Sequence, residues 1–73
     1  MVTLKFNLEN QRFICYENEK EIKTLTCGDN FTLFSDDERE FISGKIEHNK
    51  NGYYFICNEG HITYLYDGMK GTL

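Results

Sequence analysis

The stretch GKIEHNKNGYYFIC, residues 44–57, carries the clearest local fold signal in this 73-residue chain. Its Asn51-Gly52 dipeptide predicts a tight hairpin, because both residue types tolerate the positive φ angles of such a turn. Ile42, Gly44 and Ile46 fall on one face of a period-two pattern, which is typical of a half-buried strand. The glycine within that strand predicts a sharp bend or bulge.

Further short runs with the same period lie on both sides of this hairpin. Val2, Leu4, Phe6 and Leu8 alternate with polar residues, and clusters rich in Asn, Asp and Gly separate one run from the next. The predicted strands are VTLKFNL, RFICYE, EIKTLT, FTLF, FISGKIEH, YYFIC and ITYLY, and GTL is predicted to be a last short strand closing on the first.

These runs predict an all-β domain over residues 1–73. At this length we expect a small β-barrel of about five to seven short antiparallel strands, since closure removes exposed strand edges. No ten-residue segment has a helical stripe, and SDDEREFI allows at most one helical turn with Ser35 as its N-cap. A chain this short buries only roughly 60% of its unfolded surface, which disfavours an enzyme-sized cleft.

The charge of the chain is uneven. The net charge of −4 arises entirely in residues 1–44, which contain five basic and nine acidic side chains. An acidic surface repels phosphate backbones, so nucleic-acid binding starts at a disadvantage. The start, MVTLKFNLEN, has no continuous apolar run, and no later segment approaches the ~20 apolar residues of a membrane span. We therefore expect a cytoplasmic protein.

Cys27, in LTCGDNF, is the residue that most resembles a catalytic group. Gly28 and Asp29 explain the segment as a turn, with Cys27 packed at the rim of the barrel. A reactive thiol needs a neighbouring cation or helix N-terminus, and neither is evident in the sequence. No phosphate-binding glycine loop, nucleophile elbow or dinucleotide motif occurs, so we expect no enzymatic activity and no cofactor.

Metal binding is a second hypothesis for the cysteines. The chain has no C-x-x-C pair and no H-x₃₋₅-H pair, the spacings typical of zinc sites. Three cysteines without regular spacing favour free buried thiols, and a Cys15–Cys57 bridge is the alternative. The residues that a zinc site would require are Cys15, Cys27, Cys57, His48 and His61.

Two features favour the binding of a protein partner. Tyrosine is enriched at the centres of interfaces, and both faces of the last strands cannot be core in so small a barrel. The acidic turns could lie together at one end, although charge runs are usually only solvated. The predicted partner-binding residues are Tyr53, Tyr54, Tyr64 and Tyr66, with Glu19, Asp36, Asp37 and Glu38 from the acidic turns.

The alternative is a nucleic-acid-binding barrel that stacks bases on aromatic side chains. Lys45, Lys50 and Lys70 near the tyrosines are its best candidates. A homodimer through an unpaired strand edge is a further alternative to a monomer.

Three segments, LTCGDNFTL, FISGKIEHNKNGYYF and LYDGMKGTL, resemble a family of short Gram-positive bacterial proteins, domain of unknown function 5348. The similarity runs from about Thr3 to Leu73 and is carried by Leu25, Cys27, Gly28, the hairpin and Asp67-Gly68. The resemblance implies an SH3-like small β-barrel, often encoded by phages and conjugative elements, with no assigned activity. It also implies an accessory or inhibitor role as a hypothesis. SDDEREFISG departs from the family pattern, since it is more acidic and has Phe41 where tryptophan is usual.

Overall fold

Eight β-strands and no helix make up the computed structural model, which describes residues 1–73. The all-β fold is confirmed, with one strand more than the upper predicted number. With no helix present, none is long and apolar enough to cross a membrane. The strands are β1 (Val2–Asn7), β2 (Arg12–Glu17), β3 (Lys20–Thr24), β4 (Asn30–Ser35), β5 (Glu40–Asn49), β6 (Gly52–Cys57), β7 (Ile62–Tyr64) and β8 (Lys70–Thr72).

The strands form one antiparallel sheet in the order β3-β2-β1-β8-β4-β5-β6-β7. The last strand lies at its centre, where Gly71 is opposite Val2 of β1 and also opposite Leu33 of β4. The prediction that GTL closes on the first strand is confirmed. The two edges of the sheet are β3 and β7, and no strand pairing joins them.

Two short crossings show that the sheet is strongly curled. The amide of Leu25 extends β3 by donating to Phe13 of β2, and the amide of Gly28 extends β4 by donating to Ile46 of β5. β3 and β4 are four places apart in the sheet order, a distance of about 19 Å if the sheet were flat. Three residues of chain span only about 11 Å. The sheet must therefore bend back on itself.

The second crossing has the same geometry. Leu65 extends β7 by donating to Tyr53, and Gly68 donates to Leu4 at the position of β8. β7 and β8 are again four places apart, and the three-residue step from Leu65 to Gly68 crosses between them. The result is an open, barrel-like sheet whose concave face encloses the core.

The core consists of side chains from nearly every strand. Phe31 and Phe55 meet edge to face, with their ring centroids 6.3 Å apart. Each ring covers an inward-facing glycine, since a Cβ on Gly44 would clash with the Phe55 ring and a Cβ on Gly71 would clash with the Phe31 ring. The buried cluster comprises Val2, Leu4, Phe13, Cys15, Leu25, Phe31, Leu33, Ile46, Phe55, Leu65 and Met69.

The structure corrects three local predictions. Gly44 lies in an unbroken ladder and makes no bulge, because its role is to leave space for Phe55. SDDEREFI forms no helical turn: Ser35 ends β4, and residues 36–39 are the turn of the β4–β5 hairpin. In the Asn51-Gly52 hairpin only Gly52 has a positive φ, of 123°.

The outer surface departs from the simple alternation in two places. Leu8 lies in the turn after β1 and is 82% exposed, so it does not extend the inward face. Ile14 points outward from β2 but is buried, because Lys5 lies opposite it on β1 and extends over the Tyr16 ring at 5.4 Å. The aliphatic stem of a lysine can cover apolar surface in this way.

Candidate functional site

A groove lined by aromatic side chains lies between the tips of two hairpins. Curling of the sheet brings the β1–β2 hairpin beside the β5–β6 hairpin, with the end of β7 as a third wall. We call this the hairpin groove; it has a volume of about 410 Å³. It is lined by Phe6, Gln11, Phe13, His48, Lys50, Asn51, Gly52, Tyr53, Tyr64 and Leu65.

Pairs of rings form the sides of the hairpin groove. Phe6 lies against Phe13 with their ring centroids 5.1 Å apart, and His48 lies against Tyr53 at 4.5 Å. Phe13 and Leu65 are buried, whereas Phe6 and Tyr64 are exposed. Phe13 and Leu65 belong to the buried core cluster, so the exposed rings of the groove lie on side chains that the core holds in place.

The electrostatic character of the hairpin groove is opposite to that of the whole protein. Twelve of the 73 residues are acidic, yet no carboxylate lines this groove. The basic side chains among its lining residues are Lys50 and His48. A carboxylate does contact the backbone of one lining residue, since that of Asp67 accepts a 2.6 Å hydrogen bond from the backbone amide of Phe6.

Tyr64 connects the hairpin groove to a row of side chains on the outer face of the sheet. Tyr54 lies opposite Tyr64 in the β6–β7 ladder, and the rings meet edge to face with centroids 5.7 Å apart. The Asn49 amide donates a 2.9 Å hydrogen bond to the Tyr64 hydroxyl. This bond fixes the orientation of a ring that is 40% exposed. The Tyr64 ring is thus held in a defined orientation on the surface.

A second depression, the acidic cleft, lies beside the β4–β5 turn and has a volume of about 340 Å³. Leu33 and Met69 are its buried apolar members, while Asp36 and Asp37 are exposed. The cleft contains no basic side chain. It is lined by Leu33, Phe34, Ser35, Asp36, Asp37, Ile42, Thr63, Tyr66 and Met69.

The β4–β5 turn carries a small carboxyl pair beyond the cleft. The pKa of Glu40 is raised because its protonated carboxyl group can donate a hydrogen bond to the Glu38 carboxylate, and the negative charge of Glu38 acts in the same direction. The Glu38 amide donates to the Ser35 hydroxyl at 3.5 Å, so Ser35 has a turn-capping role although no helix follows. Three of the four residues of this turn, Asp36, Asp37 and Glu38, are acidic, and the turn borders the apolar side chains of the acidic cleft.

The predicted contact residues divide into separate groups. Tyr53 and Tyr64 line the hairpin groove, and Tyr54 contacts the Tyr64 ring edge to face on the outer surface of the sheet. Tyr66 lines the acidic cleft with Asp36 and Asp37.

Glu19 lies apart from the other predicted acids, in the β2–β3 turn. That turn ends β2, and the turn containing Asp36 ends β4, which runs antiparallel to β2 in the sheet. The two turns therefore leave opposite ends of the strands. The expectation that the acidic turns lie together is wrong.

The lysines of the nucleic-acid alternative are also dispersed. Lys50 lines the hairpin groove. Lys45 lies on the outer face opposite Ile56, next to the Tyr54 row, and Lys70 lies on β8 opposite Thr3. Only Lys50 and Lys45 share the β5–β6 hairpin with the tyrosines.

The three cysteines are free and differ in exposure. Cys27 is exposed in its turn, which corrects the prediction that it packs at the rim, and Cys57 is half-buried. Cys15 is fully buried, and this burial raises its pKa from 9.0 to about 11. No three of the cysteine, histidine and acidic side chains lie close enough together to hold a metal ion.

Asp29 explains the turn that contains Cys27. Its carboxylate accepts hydrogen bonds from the Thr26 amide at 2.8 Å and the Thr26 hydroxyl at 3.2 Å. Lys23 forms an ion pair with it at 3.3 Å. The Thr26 amide bond is the main cause of the lowered pKa of Asp29, and Lys23 lowers that pKa further. The segment is a well-satisfied turn.

Sequence reasoning missed the contribution of the first hairpin to the groove. The sequence pattern places Phe6 on one face of the first strand and Phe13 on one face of the second, with Gln11 in the turn between them. Nothing in that local pattern reports that the β1–β2 tip meets the β5–β6 tip. His48 enters the sequence analysis as a possible zinc ligand and not as part of a binding surface. The aromatic residue at the end of β1 was the available signal, since it lies at a tip where a full core is not expected.

The family model for DUF5348, a domain of unknown function, matches residues 2–73 of the chain. Neither a curated protein nor a solved structure matches the chain.

Proposed function

Because the chain belongs to the DUF5348 family, whose function is unknown, we propose a function from its own surface: a small non-enzymatic module that binds a protein partner. The hairpin groove carries this proposal. Its exposed aromatic rings stand on buried ones, and tyrosine-rich surfaces of this kind form the centres of protein interfaces. We place an extended segment of the partner in this groove.

The groove suits a polypeptide segment for two physical reasons. Tyr53, Tyr64 and Phe6 offer apolar area with little side-chain entropy to lose on binding. Gln11 and Asn51 lie at the rim, where their amides can pair with the backbone groups of an extended chain. The net charge of −4 supports a partner that is not a bare phosphate backbone.

The proposal is tested by quantitative capture from host lysate with and without nuclease. Tyr64→Ala is the main variant, and Tyr16→Ala, an aromatic outside the groove, is the matched control. We expect one protein to be captured stoichiometrically by the wild type and by Tyr16→Ala, to survive nuclease, and to be lost with Tyr64→Ala. Equal capture by all three proteins contradicts the assignment of the groove.

The second candidate function is nucleic-acid binding, and the charge of the groove favours it. Lys50 and His48 lie beside the aromatic rings, and no carboxylate is among the residues that line the groove. Base stacking contributes about 1–3 kcal/mol per base, which a short single strand can use. Fluorescence titration of a labelled oligonucleotide at several salt concentrations tests it. Steep salt dependence that weakens in Lys50→Ala supports this function, and no binding at low salt excludes it.

A wider biological role follows only as a hypothesis. A mobile-element or phage accessory protein, including an inhibitor of a host complex, is consistent with a small binding module that has two exposed clefts. Identification of the captured partner is the measurement that tests this role.

A further inference from the structure

The two edges of the sheet are protected unequally. β3 reads Lys20-Glu21-Ile22-Lys23-Thr24, and its pairing with β2 shifts register between Cys15 and Tyr16. Charged side chains and irregular pairing are the usual means by which edge strands avoid adding another strand. β7 and the two residues after it read Ile62-Thr63-Tyr64-Leu65-Tyr66, without charge or proline. Charged side chains and a register shift therefore protect the β3 edge against the addition of another strand, whereas the β7 edge has neither.

The backbone of β7 has free hydrogen-bonding groups. Cys57 donates to His61 and Leu65 donates to Tyr53, so residues 61 and 65 face β6. In an antiparallel ladder, alternate residues direct their amides and carbonyls to opposite sides. Ile62 and Tyr64 therefore present their N–H and C=O groups to the open edge, where no strand pairs with them.

The side chains at this edge are apolar and exposed. Ile62 is 50% exposed and Tyr66 is 56% exposed, on either side of Tyr64. Ile62 and Tyr64 both lie on the outer face, opposite Ile56 and Tyr54 of β6. An apolar, uncharged edge with unpaired backbone groups is suited to accept one more strand.

We propose that the occupant of this edge is β7 of a second copy of the chain, paired antiparallel about a twofold axis at Thr63. In this register Ile62 and Tyr64 of one copy are opposite Tyr64 and Ile62 of the other. Each of these two pairs exchanges both backbone hydrogen bonds, so all the open groups are satisfied.

Two features make a second copy a fitting occupant. Each Ile62 side chain lies directly across from the other copy's Tyr64, and aromatic–aliphatic pairs of this kind stabilise sheets. The cross-strand row of Tyr54 and Tyr64 is thereby continued by Ile62 of the second copy. Because the paired residues carry no charge, the net charge of −4 on each copy is not brought to the interface. This inference does not depend on the hairpin groove having a partner.

Sedimentation equilibrium over a range of protein concentrations tests the dimer with a matched pair of variants. Ile62 and Ile22 are both edge-strand isoleucines with 50% exposure, one on each edge. We expect reversible dimerisation of the wild type, at least about tenfold weaker self-association in Ile62→Lys, and wild-type behaviour in Ile22→Lys. A wild type that stays monomeric, or equal effects of the two lysines, overturns the proposal.

Disulfide trapping tests the register independently of how well Ile62→Lys folds. Thr63 faces itself across the axis at a non-hydrogen-bonded position, where Cα atoms are about 4.5 Å apart and a disulfide can form. Thr63→Cys in a Cys27→Ser background should give a covalent dimer on mild oxidation. Ser43→Cys, an exposed position on β5, should not. A Thr63→Cys protein that yields no more covalent dimer than Ser43→Cys also overturns the proposal.

Discussion

At the scale of single residues, Asp29 is the acid whose environment most clearly favours its charged form. Its bonds to Thr26 and Lys23 are made by the carboxylate, so its pKa in the folded state lies below the unfolded value. The stability that it contributes is present above the unfolded pKa, about 3.9, and is lost as pH falls through the folded pKa.

The prediction is that Asp29→Asn lowers the unfolding free energy by about 1 kcal/mol at pH 6, because a charge-assisted hydrogen bond is removed. As pH falls below about 4, the difference between the two proteins should shrink. Urea unfolding monitored by circular dichroism at several pH values measures it. A constant difference down to pH 2 would show that the charge of Asp29 has no role.

A second prediction at the residue scale concerns Gly44. Its φ angle lies in the ordinary strand range, so the requirement for glycine is spatial. The Cβ of an alanine would meet the Ile56 carbonyl and the Phe55 ring, and the backbone carbonyl cannot move without disturbing the ladder. Gly44→Ala should destabilise by about 1–3 kcal/mol through overpacking.

Ser43→Ala is the control for Gly44→Ala, because Ser43 is exposed on the same strand. It should change stability by no more than about 0.5 kcal/mol. Thermal unfolding of both variants gives the comparison. Equal melting temperatures for Gly44→Ala and wild type would mean that the Phe55 ring relaxes freely.

At the scale of elements, the β5–β6 hairpin separates two residues that look equivalent in sequence. Gly52 has φ 123°, whereas Asn51 has no positive φ, and the amide of Asn51 donates to the Asn49 side chain. Gly52→Ala should therefore cost on the order of 1–3 kcal/mol, and Asn51→Ala less than about 0.5 kcal/mol. Chemical unfolding measures both. Equal losses would indicate a turn in which both residues need positive φ.

The strands could be predicted from the sequence because each one follows from a local alternation that the core then satisfies. Phe31, Leu33 and Ile46 point inward as their spacing indicates. The role of Gly44 and the absence of a helical turn after Ser35 could not be predicted in this way, because both depend on residues that are distant in sequence. Ser35 bonds the Glu38 amide in either conformation, so its residue type does not distinguish a turn from a helix.

The candidate site was predictable only in part, for the same reason. The sequence indicates that some of the tyrosines must lie outside the core, and the structure shows that Tyr64 and Tyr66 are exposed. That Tyr64 faces Phe6 across a groove, while Tyr66 lies with Asp36 in a cleft, depends on two three-residue crossings. Only the curl of the whole sheet determines these neighbours.

At the scale of the whole molecule, Cys15 reports on global unfolding. It is fully buried at the centre of β2, and its raised pKa of about 11 leaves little thiolate at neutral pH. Cys27 is exposed and Cys57 half-buried. Labelling with a thiol reagent should modify Cys27 first, Cys57 more slowly and Cys15 only at the rate of global opening.

Mass spectrometry of time points resolves the three sites. In moderate urea the labelling of Cys15 should accelerate in step with the loss of stability. If Cys15 reacts in native buffer as fast as Cys27, the core is not the one described. Cys15→Ser leaves only the two faster phases and assigns the slow one.

The central place of β8 has a consequence for how the protein is made. β1–β3 and β4–β7 touch along the sheet only through β8, which pairs with β1 on one side and β4 on the other. A ribosome delivers these two halves in order and adds the strand that joins them after both. The sheet can therefore be completed only after Gly71 has left the exit tunnel, and until then the two halves lack the strand that joins them.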